Sequence, residues 1–137
     1  MNKFVRIRPH ILAVALIGVT VLLSGCGDSG KDKAKAKAAT GKIRTYYSTW
    51  NRPSTDWEIH KVRTDKDLTV TVEAKVASKK LTRAIMERSK AEQIGIARLA
   101  CPAYTDPVWA DIDKKQHVGI MLSGSAGHII NALCKRP

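Results

Sequence analysis

The chain has 137 residues, with 24 Lys and Arg against 12 Asp and Glu, giving a formal net charge of +12. A chain of this length can bury one modest core and is too short for two once any leader is removed. The cation excess bears on association and solubility, and by itself specifies no site.

The N-terminus carries the first signal. Lys3, Arg6 and Arg8 precede an apolar run, residues 11–23, broken only by Gly18 and Thr20. Those 13 residues fall short of the roughly 20 that a membrane-spanning helix needs, and their length suits the core of a signal peptide. Ile7 separates Arg6 from Arg8, so there is no twin-arginine pair. The run closes on Leu23-Ser24-Gly25-Cys26. This tetrapeptide resembles the lipobox of bacterial lipoprotein precursors. The resemblance implies that residues 1–25 are a cleaved signal peptide. It also implies that Cys26 becomes the lipidated first residue, with a diacylglyceryl thioether and a further acyl chain such as palmitate on its amine. Two or more chains hold a protein stably on a bilayer. In enteric-type bacteria an Asp directly after that cysteine retains a lipoprotein in the inner membrane. Here Gly27 stands there and Asp28 follows, so the resemblance implies the outer membrane, facing the periplasm. The alternative is an ordinary secretory signal with Cys26 as a bystander.

Residues 26–42 read as a lipidated tether. Gly27, Asp28, Ser29 and Gly30 lead into near-alternating Lys and Ala, then Ala38, Ala39, Thr40 and Gly41. No aromatic or branched aliphatic residue precedes Ile43, so nothing offsets the cost of ordering this stretch. The folded domain is therefore expected over residues 43–137. Removing the three signal-peptide cations takes the charge from +12 to +9, and the tether's five Lys and two Asp leave about +6 on the domain. A basic domain commonly binds nucleic acid, but an exported chain is not expected to meet it. Anionic lipid headgroups, lipopolysaccharide phosphates and peptidoglycan carboxylates are nearer partners. Cations of the 31–42 stretch held near headgroups would contribute up to about 1 kcal/mol each. A solvated surface without any partner is the alternative.

Within the domain, residues 43–50 read as a strand because they are rich in Thr, Tyr and Trp. Its alternation would put Tyr46 and Trp50 on one face and Tyr47 on the other, so Tyr46, Tyr47 and Trp50 form the candidate contact surface. Trp57 to Thr64 reads as a second strand. Leu68, Val70, Val72, Ala74 and Val76 alternate with Thr69, Thr71, Glu73 and Lys75 in a third, and the turn-like Thr64-Asp65-Lys66-Asp67 joins the two. Ser78 can cap a helix from Lys79. On one continuous wheel Leu81, Ala84, Ile85, Glu92, Gly95, Ile96 and Leu99 share a side, while Arg88 and Ile94 fit poorly. Ser89-Lys90-Ala91-Glu92 is a capping box, which would divide the stretch into two helices. Pro102 ends it. Asp106-Pro107 opens a short helix through Lys114. His117 to Ser123 reads as a strand. His128 to Cys134 reads as its returning partner, with a helix as the alternative. The expectation is an α+β fold: a small, mostly antiparallel sheet packed against one long or two short helices. With Cys26 committed to lipid, Cys101 and Cys134 remain in an oxidising compartment, and a disulfide between them is expected.

Catalytic signatures are missing. There is no His-Glu-x-x-His, no Gly-x-Ser-x-Gly, and Ser123-Gly124-Ser125-Ala126-Gly127 lacks the ending of a phosphate loop. His117 and His128 would flank the terminal hairpin, and could meet across it with Asp111 or Asp113 as a weak metal set. Strand-end histidines at a wet rim are the simpler reading, and no metal or other cofactor is expected. Glu58, beside Trp57, could have a raised pKa, but it has no evident catalytic partner. The sequence thus points to a non-catalytic, membrane-tethered envelope lipoprotein that binds a partner protein or an anionic polymer. No small-molecule substrate is indicated. The alternatives are an envelope hydrolase or transferase with an unrecognised site, or an inhibitor of an acidic target.

Overall fold

The computed structural model describes residues 27–137. The proposed signal peptide and Cys26 lie outside the described residues. Helix α1 (Gly27–Ser48) opens the fold, followed by strands β1 (Trp57–Thr64) and β2 (Val70–Val76). Helices α2 (Lys79–Met86) and α3 (Lys90–Ala97) come next, then 3-10 turns at Arg98–Ala100 and Pro107–Asp111, and strands β3 (Val118–Gly124) and β4 (Gly127–Leu133). The architecture is α+β, as expected.

The four strands lie in the order β1-β2-β3-β4. Both hairpins are antiparallel, and the central β2–β3 pair is parallel, with Val70 opposite Val118 and Ala74 opposite Leu122. A parallel pair needs a long crossover, and α2, α3 and both 3-10 turns supply it. Val70, Val72, Ala74 and Val76 from β2 join Val118, Ile120 and Leu122 from β3 on the covered face, and all are buried. In β1 the core-facing set is Trp57, Ile59 and Val62. The pairing shifts between Ile59 and Lys61, so an extra residue at His60 returns Val62 to the inner face. Ile43 of α1, Ile85 of α2, Ala97 of α3, Trp109 and Ile112 close the core from the helical side.

The sequence-based assignments fail most clearly at the N-terminal side. Residues expected as a slack tether and then a strand form one helix, α1. Ala36, Ala39, Thr40 and Ile43 are buried along one stripe of it, and Tyr47 continues that stripe against the core, at the spacing of a helix face. The stripe is made of small side chains, so the helix can approach the sheet closely with a single large aliphatic residue, Ile43. Thr40 Oγ1 donates to Ala36 O at 2.9 Å and lies 2.6 Å from Thr64 Oγ1. These contacts outweigh the strand preference of the Thr, Tyr and Trp cluster.

Smaller corrections follow from caps and turns. Ser89 accepts from Glu92 N while the Glu92 carboxylate accepts from Ser89 N, so α2 and α3 are separate helices. The break rotates the second helix: Ile94 packs on the core, while Glu92, Gly95 and Leu99 are exposed. Leu68 does not belong to β2. It sits in the β1–β2 turn at φ 66°, in the left-handed region that only a minority of non-glycine residues adopt. The helix expected through Lys114 is a 3-10 turn ending at Asp111. Gly124 has no room for a side chain: a Cβ there would lie 2.5 Å from Thr82 Oγ1 and 3.0 Å from Thr82 Cβ.

Cys101 and Cys134 form a disulfide, with Cα atoms 5.5 Å apart. It ties the end of the α3 segment to the end of β4. Both open edges of the sheet also receive an arginine. Arg44 of α1 donates to Val62 O on β1 at 3.1 Å, and Arg98 donates to Leu133 O on β4 at 3.1 Å. Occupied edge carbonyls are less available for pairing with another chain.

Candidate functional site

A concavity of about 850 Å³ lies beside the Pro107–Asp111 turn, and its lining includes Tyr104, Asp106, Trp109, Ile112, Lys114 and Arg136. Its walls follow from local chemistry. Asp106 caps the turn by accepting from Val108 N at 2.9 Å, and Pro107 takes the first position, where no amide donor is needed. Trp109 is buried and donates its indole N–H to Ala103 O at 2.8 Å. Arg136 stacks on the Trp109 ring, 5.5 Å from its centroid. One of its terminal nitrogens donates to Asp113 O (2.6 Å) and Gln116 O (3.0 Å), and the other to Ile112 O (2.7 Å) and Trp109 O (3.4 Å). Arg136 thus fastens the last residues of the chain to the loop before β3, and four of its five donors are committed.

Tyr104, 59% exposed, and Lys114 are the exposed aromatic and the exposed cation of this groove. A groove lined by a phenol ring and a cation can stack on a sugar or apolar group while attracting a carboxylate or phosphate. Sequence reasoning singled out neither Tyr104 nor Arg136. The only signal for Arg136 was a position two residues after a disulfide cysteine, and nothing in that spacing announces four carbonyl partners.

The predicted contact surface is distributed differently. Tyr46, Tyr47 and Trp50 lie at the C-terminal end of α1 and just beyond it, where each stacks edge-on against its neighbour, at 4.9 Å and 5.4 Å between centroids. The Tyr47 hydroxyl donates to Ala100 O. Burial pushes its pKa far above the ordinary phenol value, with the Tyr46 phenol as a smaller cause. Tyr47 and Trp50 pack against the core, so they join α1 to the Arg98–Ala100 turn rather than forming an open strand face. Tyr46 is half-buried. Its pKa is raised by burial first and by the Asp106 carboxylate second.

The titratable candidates do not converge. Glu58 is exposed and 3.7 Å from Lys75; Glu73 accepts from Arg63 at 2.7 Å. Glu92 is held below the ordinary carboxylate range by the Ser89 hydroxyl first, then by Ser89 N–H and Arg88. His117 and His128 do not meet. In the antiparallel hairpin His128 lies opposite Ser123, whereas His117 precedes Val118. Six residues at ~3.3 Å each separate the two levels by roughly 20 Å. Among the described residues no three His, Cys, Asp or Glu side chains gather as a metal site, and no helix is long and apolar enough to cross a membrane. Compared with known proteins, the chain matches no protein-family profile, no curated protein and no solved structure.

Proposed function

We propose that this chain is a non-catalytic lipoprotein of the cell envelope, held on a membrane through lipid at Cys26 and binding an envelope protein or an anionic envelope polymer through its basic domain. Export to the outer membrane, facing the periplasm, goes with this reading, because Gly27 rather than Asp follows Cys26. The observation that carries it is the basic head, the apolar run and Leu23-Ser24-Gly25-Cys26 in that order. Dispersed carboxylates and histidines support the non-catalytic part, since acid–base chemistry needs groups within hydrogen-bond reach of one reacting centre. The groove with Tyr104 and Lys114 is the favoured contact point.

Mass spectrometry of the N-terminal peptide from natively expressed protein tests the anchor. The expected peptide begins at Cys26 and carries the mass of the diacylglyceryl group and an acyl chain. An unmodified thiol or an intact leader overturns the reading. Photocrosslinking in intact cells from position 104 then tests the contact point. A discrete envelope adduct that disappears with Lys114→Glu is expected; an unchanged adduct removes the groove from the proposal.

A further inference from the structure

Gly27, the residue after Cys26, is already the first residue of α1, and Ala36 is the first buried one. At 1.5 Å per residue, Ala36 lies about 14 Å along the helix from Gly27, the residue next to the proposed anchor. A disordered 17-residue tether would have ranged much farther.

The same helix determines which end of the domain faces the membrane. Arg44 sits beside Val62, while Thr40 and Ala36 sit beside Thr64, the last residue of β1. Read backwards, α1 therefore runs towards the end of the sheet where β1 stops, and its first residues project past that end. Three other segments gather there. The 65–69 turn leads into Val70, which pairs with Val118 after the 113–117 loop, and Gly119 pairs with Leu133 just before the chain's last residues. Lys35 of α1 reaches Asp113 of that loop at 2.8 Å.

These segments present exposed Lys66, Lys114, Lys115 and Lys135, flanked by Lys31 and Lys33 on α1. Three of the nearby carboxylates already hold other cations: Asp65 holds Arg63, Asp111 holds Lys42 and Asp113 holds Lys35. Of the exposed others, Asp67 accepts from Thr69 N and Asp32 stands between Lys31 and Lys33, so cations still outnumber uncommitted carboxylates at this end. None of the four loop lysines has a carboxylate within ion-pair distance among the described residues. We propose that this end of the domain rests on anionic lipid headgroups, with α1 as a short stalk and Lys66, Lys114, Lys115 and Lys135 as the headgroup contacts. The opposite end, carrying α2 and the β3–β4 turn, then faces away from the bilayer. Charge alone would not choose between the ends, because α2 is basic too. The direction of α1 makes the choice.

This inference rests on the lipoprotein reading for its geometry, yet it can be tested without the lipid. Residues 27–137 contain the whole packed unit, so the chain from residue 26 is prepared with Cys26→Ser and floated with vesicles. One set is pure phosphatidylcholine and the other contains phosphatidylglycerol. Binding to the anionic set only, weakening as salt rises, is expected. Lys66→Glu, Lys114→Glu, Lys115→Glu and Lys135→Glu combined should weaken it at least tenfold. Lys79→Glu, Lys80→Glu and Arg83→Glu combined, on the far end, should leave it within twofold, with both variants checked for an unchanged melting temperature. Equal weakening by the two variants, or equal binding to neutral vesicles, overturns the proposal. Normal acylation of Cys26 with unaffected vesicle binding by the first variant would sink this inference alone. An unmodified Cys26 with charge-dependent binding intact would sink only the anchor.

Discussion

The helical layer is fastened to the sheet by two different means. On the α3 side, the chain is stapled covalently through Cys101–Cys134, with Arg98 on the adjoining β4 edge. On the α1 side there is no covalent tie. A stripe of Ala, Thr and one Ile lies on β1, and the periphery is held by Lys35–Asp113, Lys42–Asp111, Arg44 to Val62 O and the Thr40–Thr64 contact. One side therefore resists loosening through chain connectivity, and the other through close fit and reversible polar contacts. The reversible side carries the proposed link to the membrane.

Removing the staple should have the largest effect on this contrast. The bridged cysteines are 33 positions apart, and closing a loop of that size stabilises a fold by about 3–4 kcal/mol on the chain-entropy account. Cys101→Ser with Cys134→Ser should cost that much in urea unfolding. The excess mobility should appear in α3 and β4 while α1 amides stay protected. Equal loosening of α1 would show that the two sides are one cooperative unit.

The converse test truncates the single large anchor of α1. Ile43 is fully buried, and Ile→Ala at such a site costs about 2–5 kcal/mol. Ile43→Ala should lie near the lower part of that range, because the neighbouring stripe is already small and offers few large side chains to lose contact. Urea unfolding gives the magnitude. Proteolysis within residues 37–48, with β3 and β4 resistant, would identify α1 as the element released.

Ser89→Ala should cost about 1 kcal/mol, the ordinary value of a helix cap. It removes the hydroxyl that accepts from Glu92 N and donates to the Glu92 carboxylate. Because the disulfide lies beyond α3, fraying there should stay local, and hydrogen exchange should rise at residues 90–93 without a change at Ala97. A rise that reaches β4 would mean the staple does not isolate that end.

The contrast also explains what could be read from the residues alone. The α3–β4 side announces itself: a capping box, a proline stop and two remaining cysteines each carry a local signal, and all three match the structure. Apolar alternation likewise revealed β2 and β3, because burial on one sheet face imposes a period of two. The α1 side was misread because its docking stripe is Ala36, Ala39, Thr40 and Ile43. Small residues contribute little to an apolar pattern, and their value lies in how closely two backbones can approach, a property of the partner as much as of the helix. Tyr46, Tyr47 and Trp50 then suggested a strand through their intrinsic preference, which tertiary packing overrides. The groove was illegible for a similar reason. Arg136 acts through four carbonyl groups, and backbone acceptors leave no trace in residue identities.

Acid offers the finest separation of the two sides. Asp113 is held below the ordinary carboxylate range by its hydrogen bond from Lys35 first, and by Lys115 N–H second. A carboxylate whose pKa is lowered by folding contributes stability that is present above its unfolded pKa, about 3.9, and lost as pH falls through the folded value. Lowering the pH from 5 to 2 should therefore release the Lys35 contact and raise exchange, corrected for its intrinsic pH dependence, across the middle of α1. Glu92 is lowered in the same direction by Ser89, so the first turn of α3 should respond too. Its downstream end stays tied by the disulfide and should not. Glu92 is exposed and Asp113 partly exposed, so the responses should be small and should shrink at high salt. Asp113→Asn should abolish the α1 response while leaving that of α3. If α1 in this variant still loosens with acid, its attachment depends on Lys42–Asp111 or on the packed stripe rather than on the Lys35 contact. The reversible side would then be held mainly by fit.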